Sequence, residues 1–140
     1  MILFDTNILV AAARTADVNH RIAVRLLNTM SEPRLVPPTV VVEVCDLLSE
    51  WGGPDAEVRF LRDFRPGGLR LAELTDTDVA RMADLAERYA DLRLGGTDAS
   101  LVAIAERLGI ERVATFDRRH FTVVRPAHID AFVLLLEAVS

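Results

Sequence analysis

The chain has 140 residues, of which 51% are hydrophobic, and a formal net charge of −5. This length fits one domain over residues 1–140, and the hydrophobic content supports a sizeable core and excludes a disordered chain. No apolar run reaches the ~18–20 residues of a membrane span. The opening residues lack the basic stretch of a secretion signal. The single cysteine, Cys45, excludes an internal disulfide framework and a cysteine-based zinc site. We therefore expect a cytoplasmic protein with no membrane partner.

The charged residues include one feature that favours nucleic-acid binding and one that argues against it. All 16 basic residues are arginine, whose planar guanidinium suits phosphate, although a GC-rich genome would produce the same bias. A negative net charge is unusual for a nucleic-acid binder. Acids gathered in one metal pocket would, however, be neutralised by a cation. The charge alone therefore decides neither for nor against nucleic-acid binding.

Short apolar strands alternate with helices along the chain. Strands are predicted over residues 2–4, 34–36, 69–74, 112–116 and 131–136, and the period of the last segment also fits a helix. Helices are predicted over residues 7–14, 18–30, 39–51, 54–64, 75–89 and 97–108. This alternation implies a parallel sheet with helices on both faces. In such sheets, ligands bind outside the carboxyl ends of the strands.

Three of the helices have an apolar stripe that is expected to face the core. The stripe of the helix over 39–51 consists of Val40, Val44, Leu47, Leu48 and Trp51. The stripe of the helix over 75–89 consists of Val79, Met82, Ala83, Leu85 and Ala86. The stripe of the helix over 97–108 consists of Leu101, Val102, Ala105 and Leu108.

Four acidic residues occupy positions where this fold would bind a ligand. Asp5 and Asp117 each follow the apolar run of a strand directly, so their carboxylates are close if the two strands are neighbours. Glu43 borders the apolar stripe of its helix. Asp98 lies one turn before Val102, at the top of a core-facing stripe.

Each acid also has a local explanation. Asp5 could cap the helix that follows it, Glu43 and Asp98 suit the first turn of a helix, and Asp117 suits a turn. These explanations leave unexplained why all four acids fall on elements that are predicted to meet at one end of one sheet. Several ionised carboxylates cannot crowd together without a cation, and an all-oxygen site suits Mg²⁺ or Mn²⁺ rather than zinc. Such ions polarise phosphodiesters and activate water for in-line attack. One ion and two ions are both compatible with the pattern.

Four segments carry a family resemblance: residues 2–7 (ILFDTN), 38–43 (PTVVVE), 96–99 (GTDA) and 114–121 (ATFDRRHF). In this order and spacing they resemble the PIN-domain ribonucleases, particularly the VapC-type toxins of bacterial toxin–antitoxin pairs. The resemblance implies a three-layer α/β/α fold, Mg²⁺ or Mn²⁺ as cofactor, and cleavage of structured RNA. It also implies a homodimer that is bound by a cognate VapB-type antitoxin. Residues 52–93 carry no motif of the family.

The resemblance further implies roles for individual residues. The metal-site and catalytic acids are then Asp5, Glu43, Asp98 and Asp117, and the residues that line the pocket are Thr6, Asn7 and Thr115. Arg118 and Arg119 directly follow Asp117 and are candidates for gripping phosphate, with solvated surface arginines as the alternative. The three histidines are scattered, and no pair of them is expected to converge.

The sequence therefore predicts a metal-dependent endoribonuclease, a hydrolase that acts as the toxin of a toxin–antitoxin pair. One alternative is a catalytically inactive α/β binding module that retains the acidic pocket. Phosphatases and receiver domains that place aspartates at strand ends usually need a lysine, which this chain lacks. A flap-type DNA nuclease would need an arch segment for which the chain offers no residues.

Overall fold

A computed structural model of the protein describes residues 1–135 and shows a sheet of five parallel strands. The strands are β1 (Ile2–Phe4), β2 (Arg34–Val36), β3 (Leu69–Leu71), β4 (Arg112–Ala114) and β5 (Val133–Leu134), in the order β3-β2-β1-β4-β5. In the centre of the sheet, Leu3 lies opposite Leu35 on one side and Val113 on the other. All five predicted strands are present, although the third, fourth and fifth are shorter than predicted. Residue 136 of the last prediction lies outside the described residues.

Six helices and one 3-10 turn connect these strands within residues 1–135. They are α1 (Thr6–Ala13), α2 (His20–Thr29), α3 (Pro38–Arg62), α4 (Asp76–Arg88), the 3-10 turn Ala90–Leu92, α5 (Gly96–Leu108) and α6 (Arg118–Val123). None of the helices in this part of the chain has the length and apolarity that crossing a membrane requires.

The helices cover both faces of the sheet in a three-layer α/β/α arrangement. The chain adds β2 and β3 on one side of β1 and then returns to add β4 and β5 on the other side. Because connections between parallel strands are right-handed, this reversal places α1, α2 and α3 on one face and α4 and α5 on the opposite face. Accordingly, α1 packs against α2 and α3, and α4 packs against α5. The strand order reverses between β1 and β4, which is where an open α/β sheet forms its ligand crevice.

Helix α3 is broken near its middle, at the point where the sequence predicts one helix to end and another to begin. Gly53 has a φ of 68° and a ψ of −167°, a conformation that costs a residue with a side chain far more than it costs glycine. Pro54 follows and cannot donate a backbone hydrogen bond. The two halves of α3 are therefore separate helical segments with different axes.

The predicted apolar stripes are partly wrong. Val79 is 50% exposed, Trp51 is 49% exposed and Leu108 is 37% exposed, and Ala83 is also exposed. Helix α4 turns Leu85 inward as predicted, but it also turns Asp78 inward, which the apolar pattern did not predict.

An ion pair explains this rotation of α4. The Nε of Arg107 on α5 lies 3.0 Å from the Oδ2 of Asp78, and Asp78 also forms a reciprocal capping box with Thr75. Burial pushes the pKa of Asp78 upward, but the hydrogen bonds from Arg107 and Thr75 outweigh it and bring this pKa below its usual value. A buried, paired acid therefore occupies a position that the apolar pattern assigns to the surface.

Candidate metal centre

The buried carboxylate of Asp5 lies at the carboxyl end of β1, beside the point where the strand order reverses. One of its oxygens, Oδ1, accepts a hydrogen bond from the backbone N–H of Thr6 at 2.7 Å. The other, Oδ2, accepts one from the Thr115 hydroxyl at 2.7 Å. Burial raises the pKa of Asp5 to about 6, the two hydrogen bonds oppose this rise, and the negative charges of Asp98 and Glu43 add to it.

Thr115 and Asn7 join the ends of β1 and β4. The Thr115 hydroxyl accepts a hydrogen bond from the backbone N–H of Asp117 at 2.9 Å while it donates to Asp5. The Asn7 side chain donates to the Thr115 hydroxyl at 3.3 Å and accepts from the backbone N–H of Phe116 at 3.1 Å. These bonds fix the distance between the two strand ends that carry Asp5 and Asp117. Thr115 and Asn7 therefore lie beside Asp5, at the carboxyl ends of β1 and β4.

Glu43 and Asp98 reach the same end of the sheet from two helices. Glu43, in the second turn of α3, accepts a hydrogen bond from the Thr97 hydroxyl at the start of α5, at 2.8 Å. The hydroxyls of Thr39 and Ser100 lie 2.6 Å apart and hold the two helix starts together. The side chain of Glu43 is exposed.

Asp5 and Asp98 are each close enough to two of the other acids for the negative charges of these acids to act on them. Burial raises the pKa of Asp98, the nearby His120 opposes the rise, and the charges of Asp117 and Glu43 increase it. The negative charges of Asp98 and Glu43 in turn raise the pKa of Asp5. The ionised forms of Asp5 and Asp98 are therefore disfavoured by the acids beside them as well as by burial.

Two of the acids also have structural roles. Asp117 is the N-cap of α6, where its Oδ1 accepts a hydrogen bond from the backbone N–H of His120 at 3.1 Å. Asp5 occupies the N-cap position of α1, but the adjacent Thr6 is the residue of this helix whose N–H its side chain accepts from. Helix α5 begins after Gly95, so Asp98 is a first-turn residue and not its cap. Asp98 thus has the first-turn position of its local explanation, Asp117 caps a helix rather than lying in a turn, and Asp5 is only a weak cap.

His120 belongs to the pocket and was missed in the sequence. Its Nδ1 lies 2.7 Å from the Oδ2 of Asp117 and 3.0 Å from the Oδ2 of Asp98. His120 follows Asp117 by three residues, and a helix places residues at this spacing on the same side. This spacing could have indicated that His120 lies near Asp117. The sequence offered no apolar periodicity that would have predicted α6.

The donor set fits a hard divalent cation. It combines carboxylates whose pKa values are raised by burial and mutual repulsion with a buried hydroxyl, Thr6 Oγ1, that has no hydrogen-bond partner among the described residues. A cation would relieve the repulsion, and oxygen donors are the ligands that Mg²⁺ and Mn²⁺ prefer. Asp98, Asp117 and His120 each offer one ligand atom, and these three atoms lie within 4.8 Å of one another.

Arg118 and Arg119 are exposed in the first turn of α6, immediately beyond Asp117. They therefore lie beside the acidic pocket and on its solvent side. Their positions suit contact with a phosphate backbone, which remains a prediction.

A carboxylate pocket at the strand reversal of a three-layer α/β/α domain is an arrangement that can hold a divalent cation and act on a phosphodiester. The profile of the PIN domain matches residues 2–125, and the chain belongs to this family. It is 32% identical to Ribonuclease VapC26 of Mycobacterium tuberculosis over 124 residues, which cover 89% of this chain and 92% of that protein.

Two solved structures share the fold. VapC20 of Mycobacterium tuberculosis, described as a toxin that cleaves the sarcin–ricin loop, superposes with a TM-score of 0.78 at 21% identity, over 86% of this chain and 92% of that one. VapBC2 of Rickettsia felis, bound to a DNA fragment from its promoter, superposes with a TM-score of 0.67 at 17% identity, over 96% and 97% of the two chains. These two likenesses support the α/β/α architecture.

Proposed function

We propose that the acidic pocket cleaves RNA by metal-assisted hydrolysis. The chain is an endoribonuclease of the VapC type and acts as the toxin of a toxin–antitoxin pair. The observation that carries the proposal is the convergence of Asp5, Glu43, Asp98 and Asp117, each electrostatically coupled to another, at the strand reversal. The 32% identity to a ribonuclease over most of the chain supports the same activity.

The residues of the pocket have separable tasks. When Mg²⁺ or Mn²⁺ is bound by the four acids, it neutralises phosphate charge and makes water a stronger nucleophile. Asp5 is held in one orientation by Thr6 and Thr115, so it is the most rigid of the carboxylates. Asn7 keeps the two strand ends at a fixed separation. Arg118 and Arg119 bind the phosphates that flank the cleaved bond.

The first test is cleavage of total bacterial RNA with chelator, Mg²⁺ or Mn²⁺. Cleavage should require the ion and leave 5′-phosphate and 3′-hydroxyl ends, because water rather than the ribose 2′-oxygen attacks. A 2′,3′-cyclic phosphate product would refute this mechanism. A protein that binds the ion and cleaves no RNA would instead be the inactive binding module.

The second test is toxicity. Expression in a bacterium should arrest growth, and Asp5→Asn should relieve the arrest. Cleavage should fall by more than about 100-fold in this variant, because changes that only touch the surroundings of a metal site already cost about 10–100-fold. Asp91→Asn removes an exposed acid on the 3-10 turn and is the matched control. Equal toxicity of Asp5→Asn and the parent would contradict the assignment of the site.

We also propose that a VapB-type antitoxin binds this chain. A groove of about 630 Å³ runs between α1, α2 and the second half of α3, with Val24, Leu27 and Phe60 in its wall. Its remaining polar lining is dominated by arginines: Arg34, Arg59, Arg62 and Arg65. The four acids do not line this groove, so it offers a separate surface for an acidic and apolar antitoxin segment. An arginine further along the antitoxin would enter the acidic pocket in place of the cation.

The remaining proposals concern assembly. We propose that residues 1–140 form a single domain, that the protein is a homodimer, and that it acts in the cytoplasm, where its RNA substrate is. Size-exclusion chromatography with light scattering measures the oligomeric state. A lone monomer at high concentration would exclude the homodimer.

A further inference from the structure

His120 has one ring nitrogen, Nδ1, beside two carboxylates, which is an unusual position for a neutral or a surface histidine. Its Nδ1 lies within 3.0 Å of one carboxylate oxygen of Asp98 and within 2.7 Å of one of Asp117. This buried nitrogen makes no well-aligned hydrogen bond to either oxygen among residues 1–135, although both oxygens lie at contact distance from it. The three atoms form a compact group on the α6 side of the pocket.

The opposite nitrogen of the ring determines what Nδ1 presents to the two acids. Nε2 lies 3.2 Å from the backbone carbonyl oxygen of Leu92, which can only accept a hydrogen bond, so Nε2 carries the hydrogen. In the neutral ring, Nδ1 then has a free lone pair that is directed at two carboxylates. A backbone carbonyl that fixes the tautomer in this way is what orients a metal-ligating histidine.

We propose that Nδ1 of His120 is a direct metal ligand, together with Asp98 and Asp117, and that it makes this part of the pocket prefer Mn²⁺ to Mg²⁺. The inference rests on the proposed metal-dependent function. Mg²⁺ prefers oxygen ligands and retains its water, whereas first-row transition ions accept imidazole nitrogen more readily. One nitrogen among carboxylates therefore shifts the selectivity of the site without excluding Mg²⁺.

Pulsed electron paramagnetic resonance of bound Mn²⁺ tests the bond directly, because a ligating histidine nitrogen couples to the electron spin of the ion. The parent protein should show this coupling, and ¹⁵N labelling of histidine should change it. His120→Gln should abolish it, since glutamine can still donate to the Leu92 carbonyl but offers no group in place of Nδ1. The control is His128→Gln, because His128 also donates through Nε2 to a backbone carbonyl, that of Ile110 at 2.7 Å.

Titration calorimetry measures the selectivity. His120→Gln should weaken Mn²⁺ binding by about 10-fold or more, and it should affect Mg²⁺ less. His120→Asn places an amide oxygen near the position of Nδ1, so it should retain Mg²⁺ binding and lose the preference for Mn²⁺. Melts in chelator show whether each variant is folded, and either variant alone is sufficient for the comparison.

The outcomes separate this inference from the proposed function. An absent nitrogen coupling in a parent protein that binds Mn²⁺ and cleaves RNA overturns the role of His120 and leaves the nuclease intact. Tighter Mn²⁺ binding by His120→Gln also overturns it, because the ring would then be a charged competitor of the ion. A parent protein that neither binds Mn²⁺ nor cleaves RNA overturns both proposals.

Discussion

Asp5→Asn should stabilise the metal-free protein at neutral pH, although it removes a carboxylate that accepts two hydrogen bonds. The folded protein holds the pKa of Asp5 at about 6, against 3.8 for an ordinary aspartate, chiefly because the carboxyl is buried. Between these two values the folded state binds more protons than the unfolded chain, so the contribution of Asp5 to stability falls as the pH rises. Above about pH 7 the carboxylate is ionised in both states, and the penalty is complete.

The expected change in the free energy of unfolding follows from the shift in the pKa of Asp5. A shift of about two units corresponds to about 3 kcal/mol of folding free energy. Asparagine does not carry this penalty, but it can accept only one of the two hydrogen bonds from Thr6 and Thr115 and so loses about 1 kcal/mol. The net gain should be about 2 kcal/mol above about pH 7. It should turn into a loss that approaches about 1 kcal/mol below about pH 3, where the parent carboxyl is protonated in both the folded and the unfolded state.

Urea denaturation in chelator, across this pH range, measures the difference in free energy of unfolding between Asp5→Asn and the parent. The control is Asp91→Asn, which makes the same charge change at an exposed position and should show no crossover. A variant that is less stable than the parent by the same amount at every pH would refute the reasoning. Asp5 would then be a helix cap and not a member of a crowded acidic site.

Three further predictions concern the pocket and the core. Asp98→Asn should be at least as stable as the parent in chelator, because burial and Asp117 raise the pKa of Asp98. In thermal melts, Mg²⁺ should stabilise this variant clearly less than it stabilises the parent. Equal stabilisation by Mg²⁺ would exclude Asp98 from the site. Thr115→Val removes the hydroxyl that donates to Asp5 and should weaken metal binding by about 10–100-fold in calorimetry, whereas an unchanged affinity would show that this bond is dispensable. Arg107→Met should lower the free energy of unfolding, measured in urea, by about 3 kcal/mol, because it leaves buried Asp78 without its arginine. This loss of stability should shrink as the pH falls below the ordinary pKa of an aspartate. A loss that does not depend on pH would show that Arg107 acts by packing alone.

The elements that define the sheet could be predicted because their sequences are locally unambiguous. Ile2–Phe4 and Val113–Phe116 are short, mainly apolar runs, and each is followed by an aspartate near the point where a buried strand must end. The positions of Asp5 and Asp117 follow from those strand ends. Asp98 could be placed because its helix has an apolar stripe that points back to it. Their assignment as metal ligands stays a prediction.

The features that the sequence did not predict depend on contacts between residues that are distant in the chain. Val79 was expected inside because it is apolar, but the pairing of Asp78 with Arg107, which are 29 residues apart, sets the rotation of α4. Helix α6 was missed because its first residues are Arg118, Arg119 and His120, which provide no apolar periodicity. His120 gains its importance only when α5 brings Asp98 next to it.

The order in which the strands are made limits when the protein can become active. Asp5 and Thr115, which meet at the ends of the neighbouring strands β1 and β4, are 110 residues apart in the chain. The pocket therefore cannot assemble on the ribosome until β4 has been translated, since Thr115 orients Asp5 and Asp117 completes the acids. A chain that is cut ahead of β4 should therefore lack the activity of the pocket. Dependence on such long-range pairing also slows folding, which lengthens the interval between synthesis and activity.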